Sequence, residues 1–234
     1  MAAPRTTGRH APLNGEGAIA RGKRAAALAA AELLQDGMRV GLGTGSTVAF
    51  LLPAIAARQL RGLRCVATSP QTASAALALG LAIESLDELG ELDIAIDGAD
   101  QVDPEGWLVK GGGGAHTREK IVASAAASFV VIVSAEKLVA RLAPPVPLEL
   151  LAFGVQRTLS QLAPARLRGG VVSPDGGLIA DYLGPVEQPR ELAARLSATP
   201  GLIEHGLFAP ELTRTIVIGD DDGVEVRAGG APAA

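Results

Sequence analysis

A lysine and a glutamate enclose four consecutive glycines in the segment Lys110-Gly-Gly-Gly-Gly-Ala-His-Thr-Arg-Glu119. Glycine runs lose much backbone entropy on folding, so Gly111, Gly112 and Gly113 predict unusual dihedral angles or a close approach of backbone to ligand. A carboxylate beside an ammonium group and free amides can remove a proton next to a carbonyl, while the cation and amides stabilise the enediolate oxygen. The alternative is that Glu119 only favours a helix N-terminus, as isolated glutamates usually do.

Two aspartates, Asp97 and Asp100, follow the predicted strand 92–96 directly. Their carboxylates can reach one pocket, where they would hydrogen-bond sugar hydroxyls or transfer protons. The alternative is a turn whose aspartates accept local backbone N–H groups. Asp100 and Asp103 could also suggest a magnesium or calcium site. Their spacing does not fit an EF-hand loop, however, so we expect no metal.

A glycine-rich turn, Gly41-Leu-Gly-Thr-Gly-Ser-Thr47, connects a predicted strand to a predicted helix. Such a turn offers backbone N–H groups and the positive end of a helix to a phosphate, and Thr44, Ser46 and Thr47 add hydroxyl donors. The turn lacks both the P-loop ending and the third glycine of the dinucleotide fingerprint, so nucleotide binding is poorly supported. The alternative is a tight turn that binds nothing.

The elements around these motifs predict an α/β protein of two parts. Strands and helices alternate as far as residue 143, which indicates a Rossmann-like three-layer domain with a mostly parallel sheet. Ligands of such sheets bind beyond the carboxyl ends of the strands, which is where the two aspartates and the glycine-rich turn lie. From Pro144 the order is β-α-β-β-α-β, the split βαβ or ferredoxin-like α+β arrangement. We predict a disordered tail over 1–18, a catalytic domain over 19–143 and 213–228, and a small lid or oligomerisation domain over 144–212.

Composition narrows the function classes. The 234 residues carry a net charge of −4 without a basic block, which gives nucleic-acid binding little support. Cys65 is the single cysteine, so an internal disulfide and a zinc site of several thiolates are excluded, and a reducing cytoplasm is the expected compartment. No apolar run approaches the roughly 20 residues that span a bilayer. The N-terminal residues could be a transit peptide, although a disordered tail is favoured.

Taken together, the motifs resemble those of the ribose-5-phosphate isomerase family of the A type. The resemblance is carried by GLGTGSTV, by DGAD, and by the steps of 13 residues from Asp97 to Lys110 and nine residues from Lys110 to Glu119. It continues through the runs Ser134-Ala-Glu-Lys137, Pro145-Val-Pro-Leu-Glu149 and Gly170-Val-Val-Ser173, and it covers about residues 20–227.

The resemblance implies interconversion of ribose 5-phosphate and ribulose 5-phosphate through an enediolate, in the pentose phosphate pathway, without metal or organic cofactor. Glu119 would move a proton between C2 and C1, and Asp97 would assist ring opening or hydroxyl proton transfer. Asp100 and Lys110 would hold the C1–C3 oxygens. The substrate, chiefly its phosphate, would be bound by Lys23, Thr44, Gly45, Ser46, Thr47 and Lys137. A homodimer or homotetramer is also implied, with no nucleic-acid or membrane partner.

Two positions depart from the family pattern. Gly114 stands where alanine is frequent, and His116 stands where leucine is more usual. We expect His116 to be a tolerated loop or surface histidine, the alternative being that it perturbs the proton chemistry of Glu119. Three other functions stay open: a non-catalytic sugar-phosphate sensor, an amino-sugar phosphate deaminase and a nucleotide-binding dehydrogenase. A sensor would need the phosphate turn but neither Lys110 nor Glu119.

Overall fold

The computed structural model describes residues 17–230, so the predicted tail over 1–18 lies almost wholly outside the described residues. The strands are β1 (Arg39–Leu42), β2 (Arg64–Ala67), β3 (Ile94–Asp97), β4 (Gln101–Val102), β5 (Leu108–Val109), β6 (Phe129–Ser134), β7 (Val146–Leu150), β8 (Ala165–Val172), β9 (Leu178–Tyr182), β10 (Leu202–His205), β11 (Leu207–Phe208), β12 (Thr215–Gly219) and β13 (Val224–Ala228). The α-helices are α1 (Ala18–Ala31), α2 (Val48–Ala57), α3 (Pro70–Ala78), α4 (Leu86–Leu89), α5 (His116–Ser124), α6 (Val155–Gln161) and α7 (Pro189–Ser197).

The chain forms two compact units. The first unit contains the described residues up to Gly98, together with Ile121–Lys137 and those from Glu211 onward. The second unit contains Ala99–Lys120 and Leu138–Pro210. The prediction of a mixed α/β fold, with a mostly parallel sheet and a separate antiparallel sheet, is confirmed.

The first unit is built on a six-stranded sheet in the order β13-β12-β6-β3-β1-β2. Its strands pair in parallel except for the antiparallel hairpin of β12 and β13. Helix α1 buries a stripe of small side chains that includes Ala26 and Ala30, so its backbone can approach the sheet closely. The approach is tightest at Gly22, where a Cβ atom would lie 2.6 Å from the carbonyl oxygen of Gly219.

The second unit contains an antiparallel sheet in the order β10-β7-β9-β8. Along the chain these strands alternate with helices as β7-α6-β8-β9-α7-β10, which is the predicted split βαβ arrangement. Its apolar core includes Leu148 and Leu150 of β7, which are fully buried.

The second unit is larger than the predicted segment 144–212. It also includes residues 99–120 and 138–143, because β5 pairs antiparallel with β4 and with β11 in a second, three-stranded sheet. Between α3 and α4, Ile83 pairs with Cys65 of β2 through an isolated parallel bridge. Across residues 17–230, no helix combines the length and the apolar character that crossing a membrane needs.

Candidate active site

The glycine loop joins β5 to α5, and the backbone of Lys110 is fixed where the loop begins. The Lys110 N–H group donates to the carbonyl oxygen of Gly206 at 2.8 Å. The two backbones lie so close that a Cβ atom on Gly206 would come within 2.1 Å of the Lys110 carbonyl oxygen. A residue with a side chain at position 206 would therefore displace Lys110.

Lys110 and Glu119 form a buried ion pair. Nζ of Lys110 lies 3.1 Å from Oε2 of Glu119, and the two side chains are only 2% and 4% exposed. The ring of Phe208 lies beneath the ammonium group, with its centroid 5.4 Å from Nζ. Taking both charges out of water is costly, which favours a functional role for the pair. In such a dry environment a cation strongly stabilises negative charge that develops nearby.

Asp100 lies against the middle of the glycine loop. Its Oδ2 atom accepts a hydrogen bond from the N–H group of Gly112 at 2.8 Å. Gly111 adopts a φ of +95°, a conformation that side chains rarely adopt, and Gly112 and Gly113 are exposed. The loop closes with a hydrogen bond from the Gly114 N–H group to the Gly111 carbonyl oxygen at 2.9 Å. These residues, Asp100, Lys110, Gly111–Gly113 and Glu119, are called the glycine-loop cluster below.

In the first unit, Asp97 ends β3 and contacts the turn that follows β1. Its Oδ1 atom accepts hydrogen bonds from the N–H groups of Thr44 at 3.0 Å and of Gly98 at 2.7 Å. A Cβ atom on Gly43 would lie 1.9 Å from the same oxygen. Position 43 therefore requires glycine because the Asp97 carboxylate occupies the space that a side chain would need.

The turn itself carries the features of a phosphate site. Ser46 is exposed and its Oγ atom accepts a hydrogen bond from Nζ of Lys23 at 2.8 Å. The hydroxyl groups of Thr44 and Thr68 are 2.7 Å apart, and Gly45 has a φ of +121°. Thr47 precedes α2 but its side chain makes no capping hydrogen bond. Lysine, hydroxyls and a helix N-terminus together form a suitable anion site. Lys23, Thr44–Thr47 and Asp97 are called the GTGST cluster below.

Lys137 is the one predicted binding residue that lies in neither cluster as defined. It ends the short 3₁₀ helix Ala135–Lys137, directly after β6, and it is half-buried. Strand β6 pairs in parallel with β3, so Lys137 follows the same edge of the first sheet as Asp97. That edge is the one at which ligands of parallel sheets bind.

His116 is buried, so the expectation of a loop or surface histidine is wrong. It begins α5, its ring is fully enclosed, and Nε2 lies 3.3 Å from the carbonyl oxygen of Glu204. Its pKa is lowered from 6.5 to about 4, chiefly by burial and also by the nearby Lys120, against an opposing effect of Glu204. A Cβ atom on Gly111 would lie 2.6 Å from Nδ1 of His116, so the imidazole also requires glycine at position 111.

Asp103, considered above as a metal ligand, is used by its own turn. Its Oδ1 atom accepts the N–H groups of Glu105 and Trp107, each at 2.9 Å. Burial raises the pKa of this carboxyl group. In the part of the chain that the structure describes, no three His, Cys, Asp or Glu side chains are grouped as metal ligands.

Sequence reasoning missed Arg168 of β8, which contacts the glycine loop. Its Nη1 atom donates to the carbonyl oxygens of Gly112 at 2.8 Å and of Gly111 at 3.3 Å. No short-range pattern could have indicated this contact, because more than 50 residues separate Arg168 from the loop. The sequence also gave no reason to connect Thr68 with the GTGST turn.

Comparison with known proteins agrees with this geometry. The family model of ribose 5-phosphate isomerase A (phosphoriboisomerase A) matches residues 64–223. A ribose-5-phosphate isomerase A of Caulobacter vibrioides is 43% identical over 217 residues, which cover 86% of this chain and 95% of the relative. One from Methanoregula boonei is also 43% identical, over 219 residues, covering 87% and 92%.

Solved structures give the same result. Ribose 5-phosphate isomerase A of Neisseria gonorrhoeae matches with a TM-score of 0.85 and 32% identity, covering 91% of this chain and 96% of that chain. A D-ribose-5-phosphate isomerase in complex with phospho-erythronic acid matches with a TM-score of 0.84 and 33% identity, covering 88% and 97%. The identity, the coverage and the shared architecture together show that the chain belongs to the ribose 5-phosphate isomerase A family.

Proposed function

We propose that this protein interconverts D-ribose 5-phosphate and D-ribulose 5-phosphate, with Glu119 as the base. The relatives carry the name of this activity, and the buried Lys110–Glu119 pair supplies the chemistry that it needs. A sugar-phosphate sensor would only bind its ligand, so it would not need the buried charges of Lys110 and Glu119, whose removal from water costs free energy. The dehydrogenase has no support from the family to which the chain belongs.

The proposed reaction moves one proton between neighbouring carbons. The carboxylate of Glu119 removes the proton from C2 of the open-chain aldose, and the electron pair forms the C1–C2 double bond of an enediolate. The negative charge develops on the oxygen at C1, where the Lys110 ammonium group stabilises it. Glu119 then returns the proton to C1, and the proton of the C2 hydroxyl group passes to the C1 oxygen, which gives a hydroxyl group at C1 and the ketone at C2.

The two aspartates have separate proposed roles. Asp97 assists ring opening or proton transfer at a hydroxyl group, which its buried position at the end of β3 supports. Asp100, exposed beside the glycine loop, holds the C1–C3 oxygens together with Lys110. The exposed backbone of Gly112 and Gly113 leaves room for the substrate to approach closely.

The phosphate is proposed to bind the GTGST turn. Backbone N–H groups before α2, the hydroxyls of Thr44, Ser46 and Thr47 and the ammonium group of Lys23 are its donors, with Gly45 giving the turn its shape and Lys137 adding positive charge. A related isomerase has been solved in complex with phospho-erythronic acid, which supports a phosphorylated ligand for this family.

The remaining features follow the same proposal. The enzyme acts without metal or organic cofactor in the cytoplasm, in the pentose phosphate pathway, and binds no nucleic acid. It forms a homodimer or homotetramer, with residues 144–212 as a lid or oligomerisation domain. Large exposed apolar side chains in that segment, such as Phe153 at 94% and Val172 at 58%, support a role in assembly.

The test is formation of ketose from ribose 5-phosphate by the purified protein in the presence of EDTA. Turnover supports both the activity and its independence of metal ions. Binding of ribose 5-phosphate without turnover would indicate the sensor, and ammonia release from an amino-sugar phosphate would indicate the deaminase. Activity that EDTA abolishes and Mg²⁺ restores would contradict the metal-free reaction.

A further inference from the structure

The peptide group between Gly111 and Gly112 is held on both sides. Its N–H group donates to Oδ2 of Asp100 at 2.8 Å, and its carbonyl oxygen accepts from Nη1 of Arg168 at 3.3 Å. The N–H and C=O groups of a trans peptide point in opposite directions. Asp100 and Arg168 therefore hold opposite edges of one peptide plane, in the loop that follows Lys110.

The guanidinium group of Arg168 is itself held in place. Its Nε and Nη2 atoms donate to the two carboxylate oxygens of Asp181 at 2.8 and 2.6 Å, a bidentate arrangement that fixes the orientation of the planar group. Nη1 is then directed at the glycine loop, where the Gly112 carbonyl oxygen accepts its shorter hydrogen bond at 2.8 Å. Both side chains are about one-fifth exposed.

Besides Arg168, the Gly111–Gly112 peptide is held by its hydrogen bond to Asp100 and by the Gly114 N–H group, which donates to the Gly111 carbonyl oxygen at 2.9 Å. Glycine has access to both signs of φ, so a peptide between two glycines can rotate at small cost. Rotation would turn the Gly112 N–H group away from Asp100 and direct the Gly111 carbonyl oxygen toward the same carboxylate. Arg168 opposes this rotation because its hydrogen bond to the Gly111 carbonyl oxygen would be lost, while its shorter bond to the Gly112 carbonyl oxygen holds the next peptide in place.

We propose that Arg168, oriented by Asp181, is a positioning residue of the isomerase reaction. It holds the glycine loop in the orientation that keeps Asp100 and Lys110 placed for the enediolate, without contacting the substrate. The inference deepens the proposed function and rests on it.

The experiment compares Arg168→Gln with Arg166→Gln, an exposed arginine two residues earlier on the same strand. Arg168→Gln should lower kcat by about 10- to 100-fold, the range for residues that orient catalytic groups, while Arg166→Gln should not. The KM of Arg168→Gln should change by less than about threefold, because the phosphate turn is intact. Arg168→Lys, which keeps the charge but loses the fork, should recover part of the rate.

A kinetic isotope effect separates positioning from general loss of stability. With deuterium at C2 of ribose 5-phosphate, a misplaced loop makes proton removal slower relative to the other steps, so the isotope effect on kcat should be larger in Arg168→Gln than in wild type. Loss of folded enzyme alone would leave the isotope effect unchanged. If Arg168→Gln does not fold, Asp181→Asn should show the same changes to a smaller extent.

The inference is overturned if wild type is active and a folded Arg168→Gln variant matches Arg166→Gln in kcat. It is also overturned if kcat falls while the isotope effect stays at the wild-type value. A wild-type protein that forms no ketose would instead contradict the proposed function. The two failures are therefore distinguishable in one set of assays.

Discussion

The glycine-loop cluster and the GTGST cluster place their lysines in different environments. In the glycine-loop cluster the cation is buried and paired with a carboxylate, with Lys110 and Glu119 almost fully enclosed. In the GTGST cluster Ser46 is exposed and Lys23 is only half-buried, so the charge of this lysine remains partly solvated although Asp97 is buried. Glycine serves both regions in the same two ways: Gly111 and Gly45 adopt a positive φ, and Gly111 and Gly43 leave space for the His116 ring and the Asp97 carboxylate.

This difference indicates a division between chemistry and binding. Charges kept out of water interact strongly with a group that changes its charge during a reaction. A half-solvated lysine beside hydroxyls suits a phosphate, whose charge stays the same from substrate to product. Changes in the glycine-loop cluster should therefore act on kcat, and changes in the phosphate donors of the GTGST cluster, Lys23 and Thr44–Thr47, should act on KM.

The largest effect is expected for Glu119→Gln. This change keeps the shape of the side chain but removes the base, so kcat should fall by about a thousandfold, within the usual range for general bases. KM should stay within about threefold, because binding does not need the carboxylate to be basic. Steady-state ketose formation measures both, and Glu91→Gln, an exposed glutamate, is the matched control. Near-normal turnover of a folded Glu119→Gln variant would refute the assignment.

A smaller loss is expected for Lys110→Gln. An amide can still donate a hydrogen bond to the enediolate oxygen but carries no charge, so kcat should fall by about a hundredfold. The same substitution leaves Glu119 without its buried cation, so the melting temperature should also fall. Kinetics at saturating substrate and thermal melting test the two expectations. A Lys110→Gln variant that raises KM alone would mean that Lys110 binds substrate and takes no part in the chemistry.

Lys23→Gln should weaken substrate binding at the GTGST cluster. A charge-assisted contact with phosphate is worth about 1.5–3 kcal/mol, so KM should rise by about tenfold or more while kcat changes little. Arg61→Gln, which removes an exposed cation from the first unit, controls for net charge. A fall in kcat with unchanged KM would contradict the assignment of phosphate binding to Lys23.

The smallest effect concerns His116 and the pH dependence of stability. The pKa of His116 is about 4 in the folded protein, lowered chiefly by burial, against an ordinary value of 6.5. Between these pH values the unfolded chain binds more protons than the folded protein. The contribution of His116 to stability is therefore fully present above about pH 6.5 and is lost as the pH falls toward 4. His205 shares the same lowered pKa of about 4, and the pKa of Glu204 is also lowered.

His116→Leu should reduce this acid sensitivity without removing it, because His205 and Glu204 remain. As the pH is lowered from about 7 to about 4, the urea unfolding midpoint should fall less for His116→Leu than for wild type. Above pH 7 neither midpoint should change much. An identical pH slope in the variant would show that His116 is not kept neutral by the fold. Unchanged kcat in His116→Leu would support its role in packing the loop.

The sequence was informative where periodicity extends over whole elements. Alternating strands and helices predicted both parts of the fold, and the β-α-β-β-α-β order of the second unit needed no tertiary information. Strands β4 and β11 have two residues each, which is too short for a periodic pattern to indicate. Their pairing with β5 is what moves residues 99–120 into the second unit, so the unit boundary could not be predicted either.

The site was predicted through residues that share a short segment. Lys110 and Glu119 are nine residues apart, and the loop between them brings the two side chains together. The contact of Arg168 with Gly112 depends on the packing of distant strands, and so does the burial of His116 against Glu204. A charged residue within a strand gives no indication of its distant partner, and a histidine beside a glycine loop gives no indication of its burial.

Glu119 is proposed to remove the proton from C2, so loss of a deuteron placed at C2 is the most direct measurement of its role. Wild type and Glu119→Gln would each be given ribose 5-phosphate deuterated at C2, and the cleavage of the C2–deuterium bond followed by nuclear magnetic resonance. We expect wild type to break this bond at the rate of ketose formation, and folded Glu119→Gln to do so at least about a hundredfold more slowly. A folded Glu119→Gln variant that removes the deuteron at close to the wild-type rate would contradict the account.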